Sequence, residues 1–222
     1  MEVDKYDYSK INAYEKTLLP DGFIGNVYNL SYKWKEIIPE YENPVKIMEI
    51  GVYHGANVCS YMKTYATHPK TEVHCIDPWM DYEEYPEYQN QQKTNYSIFM
   101  NNMSKLDSID LNKIYIHRGL SSTILPTFKD ESFDIIYIDG NHETKYVLGD
   151  AMLSMNKLKK GGWIIFDDTH DHLDKKGIDV FLWVTSTEFN IILSKNSQIL
   201  LKKKKNKILQ NICEVCMTVS KN

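Results

Sequence analysis

No run of apolar residues in this sequence reaches the roughly 20 positions that a membrane-spanning helix needs, so an integral helical membrane protein is not expected. The opening MEVDKYDYSK lacks the basic start and apolar centre of a secretory signal, and a cytoplasmic location is the simplest expectation. Positive charge is in short supply. With 26 Lys and Arg against 30 Asp and Glu, the formal net charge is -4 and no basic face stands out. Neither nucleic acid nor a membrane surface is therefore an expected partner. The one dense basic run, Lys202 to Lys205, comes just after the apolar Ile199-Leu200-Leu201 and reads as a solvated guard on a strand edge, with a polyanion contact as the alternative.

Cysteine is scarce too. The four present, Cys59, Cys75, Cys213 and Cys216, fall in segments that otherwise read as helix or strand interiors, which suits free thiols in a reducing compartment. Cys213 and Cys216 form a CxxC, but no second pair stands at zinc-finger spacing, so a strand with small buried residues is the preferred reading there. Internal repeats and low-complexity linkers are absent as well. What remains is 222 residues, 42% hydrophobic and 25% charged, enough for one full core with decorations.

Residues 1–43 are polar, with weak helical periodicity around Val27 to Tyr41, and read as a leader packed on a domain of residues 44–205. From Val45 a regular alternation begins. Strands are expected at Val45 to Ile50, Glu72 to Ile76, Lys113 to His117, Asp134 to Ile138 and Trp163 to Phe166. Helices are expected between them at Ala56 to Thr67, Thr94 to Leu106, Ser121 to Phe128 and Glu143 to Leu158. Strands separated by helices mean βαβ units, an α/β protein with a doubly wound, mostly parallel sheet. The end differs: Phe189 to Leu193 and Gln198 to Lys202 are separated by only four residues, too few for a parallel crossover, so this pair closes the sheet as an antiparallel hairpin. Residues 206–222 form a C-terminal extension without a clear pattern. Met80 to Gln92, MDYEEYPEYQNQQ, carries Tyr82, Tyr85 and Tyr88 among acids and is long for a strand-to-helix connection. It reads either as a binding loop or as a mobile acidic surface loop.

Open α/β sheets bind ligands beyond the carboxyl ends of their strands, so the residues just past each strand carry the chemistry. After the first comes Glu49-Ile50-Gly51-Val52-Tyr53-His54-Gly55, two glycines that let the backbone turn close to a ligand at a helix N-terminus. After the second comes Asp77-Pro78-Trp79, and Asp77 stands 22 positions past Gly55, where nucleotide-binding sheets place an acid on ribose hydroxyls. The pair points to an adenosine-type ligand. The pattern is ExGxxxG and not GxGxxG, which disfavours a pyrophosphate-bearing dinucleotide. After the fourth strand stands Asp139-Gly140-Asn141-His142, and after the fifth Asp167-Asp168-Thr169-His170. Three carboxylates on neighbouring strand ends would repel unless neutralised, which suits a hard divalent cation, Mg²⁺ before Ca²⁺ or Mn²⁺. Singly, each acid could instead cap a helix. His142 is a candidate general base beside such a cation or a surface histidine at a helix start, with His170 and His172 as competitors. His54 sits inside the glycine turn and touches a cofactor or nothing.

In order along the chain, EIGVYHG, CIDPW, IDGNH and GGWIIFDD resemble the class I S-adenosylmethionine-dependent methyltransferases, and more narrowly the metal-dependent macrocin-type sugar O-methyltransferases. The resemblance covers roughly Pro44 to Lys203. It implies a Rossmann-like methyltransferase fold of seven strands. It also implies that Gly51 and Gly55, with Tyr53 beside them and Glu49 in support, lie under the methionine part of S-adenosylmethionine. Asp77 would bind the ribose hydroxyls, Trp79 would pack near the adenine, and the Gly119-Leu120-Ser121 turn would flank its other side. Asp139, Asp167 and Asp168 match the family's metal-binding acids, and His142 its general base. Catechol-type relatives have asparagine where this chain has Asp168, which leaves open which acids touch the ion. The implied reaction is Mg²⁺-assisted methyl transfer to a hydroxyl of a small molecule or glycan sugar, Asp139 and His142 being the catalytic pair. A nicotinamide-dependent oxidoreductase, which would want GxGxxG and all-parallel late strands, is the alternative, together with a non-catalytic cofactor-binding domain of the same fold. Methylation of RNA or protein is discouraged by the acidic balance. The sequence leaves room for a homo-oligomer and does not name the acceptor.

Overall fold

A computed structural model describes residues 11–81, 89–170, 172–195 and 197–205, without the side chains of residues 172–174. Tyr82, Tyr85, Tyr88, Cys213, Cys216 and the extension at 206–222 lie outside the described residues. Among the described residues seven strands form one sheet: β1 (Lys46–Ile50), β2 (Glu72–Asp77), β3 (Ile114–Arg118), β4 (Phe133–Ile138), β5 (Leu158–Phe166), β6 (Phe189–Lys195) and β7 (Gln198–Lys203). Their order is β3-β2-β1-β4-β5-β7-β6. The first five pair in parallel, whereas β7 lies antiparallel between β5 and β6. The doubly wound, mostly parallel sheet with a terminal hairpin is thus the fold of this chain. Its late strands set aside the all-parallel arrangement that the oxidoreductase reading required.

Side chains alternate across a strand, and the strands here are apolar on both faces because helices cover both. Ile47, Val73, Ile135, Tyr137 and Ile165 face a core closed by Val58, Phe99 and, from the leader, Trp34 and Ile38. Met48, Ile50, Ile136, Ile138 and Ile164 face a second core with Val147, Ala151, Ile178 and Phe181. At about 2 kcal/mol for each fully buried large apolar side chain, these two layers are what hold the sheet between its helices. The helices are α1 (Ala13–Thr17), α2 (Ala56–Lys63), α3 (Gln92–Met103), α4 (Ser108–Leu111), α5 (Ser121–Ile124), α6 (Thr144–Lys157) and α7 (His172–Val184).

Several elements depart from the sequence expectation. Helix α2 ends at Lys63, short of Thr67: Thr64 leaves helical angles (φ -120°, ψ -73°), and its hydroxyl bonds the Ser60 carbonyl and meets Ser31 of the leader. Strand β5 begins at Leu158 instead of Trp163, running through Gly161 and Gly162. Gly162 is needed there, since a Cβ would lie 2.9 Å from the Asp134 carbonyl of the adjacent strand. The periodicity at Val27 to Tyr41 yields only a 3-10 turn, Ser31–Trp34, while α4 and α7 have no counterpart in the sequence expectation. The lysine run does not guard an edge, because β6 is the outer strand. Lys203 Nζ instead donates to the Met155 and Leu158 carbonyls at 2.8 Å, and burial lowers its pKa. Lys202 Nζ lies 4.5 Å above the Trp163 ring. Cys59 and Cys75 are buried free thiols.

Candidate active site

The sheet order reverses between β1 and β4, and the crevice beyond their carboxyl ends opens into a cavity of about 850 Å³. Its first wall is the β1–α2 turn. Gly51 adopts φ +82°, and an added Cβ would land on the Asp139 carbonyl, so only glycine lets the two strand ends meet. Asp139 N–H in turn donates to the Ile50 carbonyl at 2.8 Å. Gly55, at φ +80°, opens α2 with its missing Cβ filled by Met103 and Phe99 of α3. Tyr53 between them is also left-handed, at φ +50°, and stacks on His54. His54 is buried, its Nε2 is 3.1 Å from Asn95 Oδ1, and desolvation pulls its pKa down to about 4.

Asp77 holds this turn. Its Oδ2 accepts the Val52 and Tyr53 amides at 2.9 and 3.0 Å, and its Oδ1 accepts Trp79 N–H at 2.7 Å. Burial raises its pKa, and those three amides oppose the rise. Trp79 is placed elsewhere than the resemblance implied. It is 2% exposed and packs on Tyr96 and Phe99 of α3, and its Nε1 donates to the Tyr53 carbonyl at 3.0 Å. The φ of +41° at Trp79 turns the indole inward, away from the cavity lining. Its part is to brace the turn from behind.

Glu49, on β1, reaches the cavity floor while only 2% exposed. Burial drives its carboxyl well above the ordinary range, Tyr61 partly offsets this, and Asp77 and Asp167 add to it. Its Oε2 takes no hydrogen bond from any described residue. A buried carboxylate oxygen facing a cavity is a seat for a cationic group, and the ammonium end of an amino-acid-bearing cofactor fits it.

The three strand-end acids converge. One oxygen each from Asp139, Asp167 and Asp168 lies within 4.8 Å of the others. Desolvation first, then Asp167, Asp168 and Glu49, holds Asp139 well above the usual carboxylate range, and burial raises Asp167 likewise. Neither Asp167 nor Asp168 caps a helix, since α7 opens only at His172. The three differ in their partners. Asp167 is engaged at both oxygens, by Asn29 Nδ2 at 2.9 Å and by the Tyr137 hydroxyl at 2.8 Å. Asp139 has only a longer contact to the same hydroxyl, at 3.3 Å. Asp168, at φ +50°, turns outward, and its Oδ2 lies 3.7 Å from His142 Nδ1. His170 also lines the cavity, and the side chain of His172 lies outside the described residues.

Three polar residues at or near the cavity, Asn29, Gln198 and Asp150, were not among the sequence candidates. Asn29 comes from the leader, and Gln198 from β7 donates to its carbonyl and to Tyr137 Oη while accepting from Trp34 Nε1. This chain of buried amides and hydroxyls fixes the acids from below. Ser121 Oγ, at the expected turn after β3, donates to Asp150 Oδ1 of α6 at 2.5 Å. Asp150 was detectable only as an acid on the helix after the fourth strand.

The sequence profile of a family described as a methyltransferase domain matches residues 48–169. A protein of Acanthamoeba polyphaga mimivirus is 24% identical over 169 residues, covering 75% of this chain and 72% of that protein. Among solved structures, cofactor-bound Rv0187 from MTB superposes with a TM-score of 0.58 at 13% identity, covering 87% of this chain and 88% of that one. The O-methyltransferase NovP superposes with a TM-score of 0.52 at 14% identity, covering 73% of each chain. At these identities the two structures share the fold. No described helix is long and apolar enough to cross a membrane.

Proposed function

The chain belongs to the methyltransferase-domain family, on the class I S-adenosylmethionine-dependent frame, and we propose that it methylates a hydroxyl oxygen of a small molecule or glycan sugar with the help of a divalent cation such as Mg²⁺. The observation that carries this reading is the meeting of three carboxylates within 4.8 Å with an imidazole 3.7 Å from one of them, all lining a cavity of about 850 Å³.

The donor set fits a hard cation. All three ligands are carboxylate oxygens; burial first, and the neighbouring acids after it, hold the Asp139 carboxyl well above its usual range, and a divalent ion would relieve the repulsive part of that. Because Asp167 is engaged by Asn29 and Tyr137 at both oxygens, Asp139 and Asp168 would hold the ion and Asp167 would set their spacing. Glu49, the Gly51 turn and Asp77 would hold S-adenosylmethionine. When bound, the cofactor supplies an electrophilic sulfonium methyl and the cation makes an acceptor hydroxyl more acidic.

The chain's own residues do the rest. The backbone turn at Gly51, locked by Asp77 and braced by Trp79, fixes the floor on which donor and acceptor align. His142 takes the acceptor's proton, and Asp168 beside Nδ1 stabilises the imidazolium that results. The apolar cavity wall around Ile50, Leu120 and Leu153 keeps water from competing.

The test is methyl transfer from radiolabelled S-adenosylmethionine to a panel of sugar and catechol hydroxyls, amines and carboxylates, with Mg²⁺ or with EDTA. Transfer that proceeds equally fast in EDTA removes the metal from the reading. Transfer confined to amine or carboxylate acceptors removes the hydroxyl.

A further inference from the structure

Residues 24–31 of the leader run along the cavity, and both ends of that stretch are tied down. At the first end the buried side-chain amide of Asn102, on α3, grips Ile24. Its Oδ1 accepts the Ile24 N–H at 3.0 Å, and its Nδ2 donates to the Ile24 carbonyl at 2.7 Å and to the His54 carbonyl at 2.9 Å. Gly25, at φ +133°, lies so close to the His54 ring that a Cβ would stand 2.5 Å from Nδ1. At the second end Asn29, left-handed at φ +42°, donates to Asp167, and Ser31 N–H donates to Asn57 Oδ1 at 2.9 Å.

Between these ties Tyr28 lines the cavity while 73% exposed. Among the described residues its side chain has no hydrogen-bond or ring partner. An aromatic ring left in solvent adds no packing to the fold, and Asn29 beside it fixes the backbone that carries it. The ring is therefore held out toward whatever enters the cavity. The sheet order tells which ligand that is. Glu49, Gly51 and Asp77, which would hold the cofactor, stand at the ends of β1 and β2, whereas Asn29 touches the ends of β5 and β7 through Asp167 and Gln198. Tyr28 is one residue, about 3.8 Å of backbone, from Asn29. It stands on the side of Asp139 away from the cofactor turn, where the acceptor of a transferred group must come in.

We infer that Tyr28 selects the acceptor: its ring is the platform on which the apolar face of a ring-shaped acceptor, a pyranose or a catechol, lies while a hydroxyl of that ring reaches the acids. The assignment rests on the acceptor being a hydroxyl compound handled at the acid cluster. A flat acceptor covers the tyrosine ring and gains its stacking energy, whereas an open-chain polyol has no flat face to offer.

Fluorine NMR of the whole protein labelled with meta-fluorotyrosine reads this ring directly, the Tyr28 resonance being the one lost in Tyr28→Phe. With S-adenosylhomocysteine and Mg²⁺ present, catechol or methyl β-galactopyranoside is expected to shift that resonance and sorbitol to leave it in place. A shift with one of the two ring compounds tells which ring the platform takes. Tyr28→Ala replaces an exposed side chain without partners, so it folds as the wild type does, and in calorimetric titration it should bind the ring compound about tenfold more weakly. Tyr28→Phe keeps the ring and should bind it within about twofold of wild type. A Tyr28 resonance that stays in place with both ring compounds, or moves as far with sorbitol, overturns the assignment, as does Tyr28→Ala binding as tightly as wild type. A resonance that moves as far with S-adenosylhomocysteine alone also overturns it and puts the ring on the cofactor. No methyl group is transferred in these titrations. Failure of the radiolabel assay with the shift intact therefore removes the proposed reaction and leaves Tyr28 a ring-binding residue, whereas an unmoved resonance with transfer intact removes Tyr28 alone.

Discussion

Asn29, in the segment before the first strand, donates its side-chain amide to Asp167 Oδ1 at 2.9 Å, across 138 positions of sequence. The same residue's carbonyl accepts from Gln198 of β7. The leader is therefore part of the acidic site and fixes the acid whose other oxygen is bound by Tyr137. Asn29→Asp places a fourth carboxylate against the cluster and removes the donor. It should lower stability by about 1 to 2 kcal/mol in urea unfolding without added cation, and saturating Mg²⁺ should recover part of that. No change in the unfolding midpoint would contradict the contact.

The metal reading has a readout independent of turnover. A cation that binds only the folded chain raises its melting temperature with concentration, a gain of about 2.7 kcal/mol at a hundred times Kd. Mg²⁺ is expected to raise the melting point of the wild type, and EDTA to reverse the rise. Asp139→Asn and Asp168→Asn should each abolish it. A shift that persists in both variants places the ion elsewhere.

His142→Ala removes the proposed base while leaving the acids in place. A general base contributes about 10² to 10⁴ in rate, so the variant should lose at least a hundredfold in turnover while S-adenosylhomocysteine binds as before. A loss of only a few-fold transfers the role to His170 or to solvent.

Gly51 allows no side chain. With φ +82° and the Asp139 carbonyl where a Cβ would sit, Gly51→Ala must push β1 and β4 apart at their ends. A destabilisation of at least about 3 kcal/mol is expected, measured by thermal or urea unfolding. Near-wild-type stability would mean that the two strand ends have slack.

Asp150 also predicts a pH dependence. Burial lifts its carboxyl from 3.8 to about 6, so the folded chain holds this proton more tightly than the unfolded one. The resulting stability is complete below the unfolded pKa of 3.8 and is lost as pH rises through about 6, at most about 3 kcal/mol. Asp150→Asn carries no such proton, so it should gain stability relative to wild type as pH rises from about 4 to about 6 in urea unfolding. A difference that stays constant with pH would mean that the carboxyl titrates normally.

The amino-acid sequence by itself determined the frame. A two-residue alternation places Ile47, Ile135 and Ile165 on one face and Met48, Ile136 and Ile164 on the other. The four residues between the last two apolar runs permit only an antiparallel pair. Those are local properties, because side-chain period and chain reach depend on neighbours along the backbone. The acids could be anticipated for a related reason: strand ends of a parallel sheet all face one way, so Asp139, Asp167 and Asp168 were bound to share an edge of the sheet once β4 and β5 paired. Only the tertiary structure decided the rest. Trp79 left the cavity for the α3 core, the lysine run folded onto the carbonyls of Met155 and Leu158, Asn29 came to Asp167, and Asp150 came to Ser121. Each of these depends on where a loop or helix packs in three dimensions and on which rotamer that packing allows, and no spacing between residues in the chain encodes either.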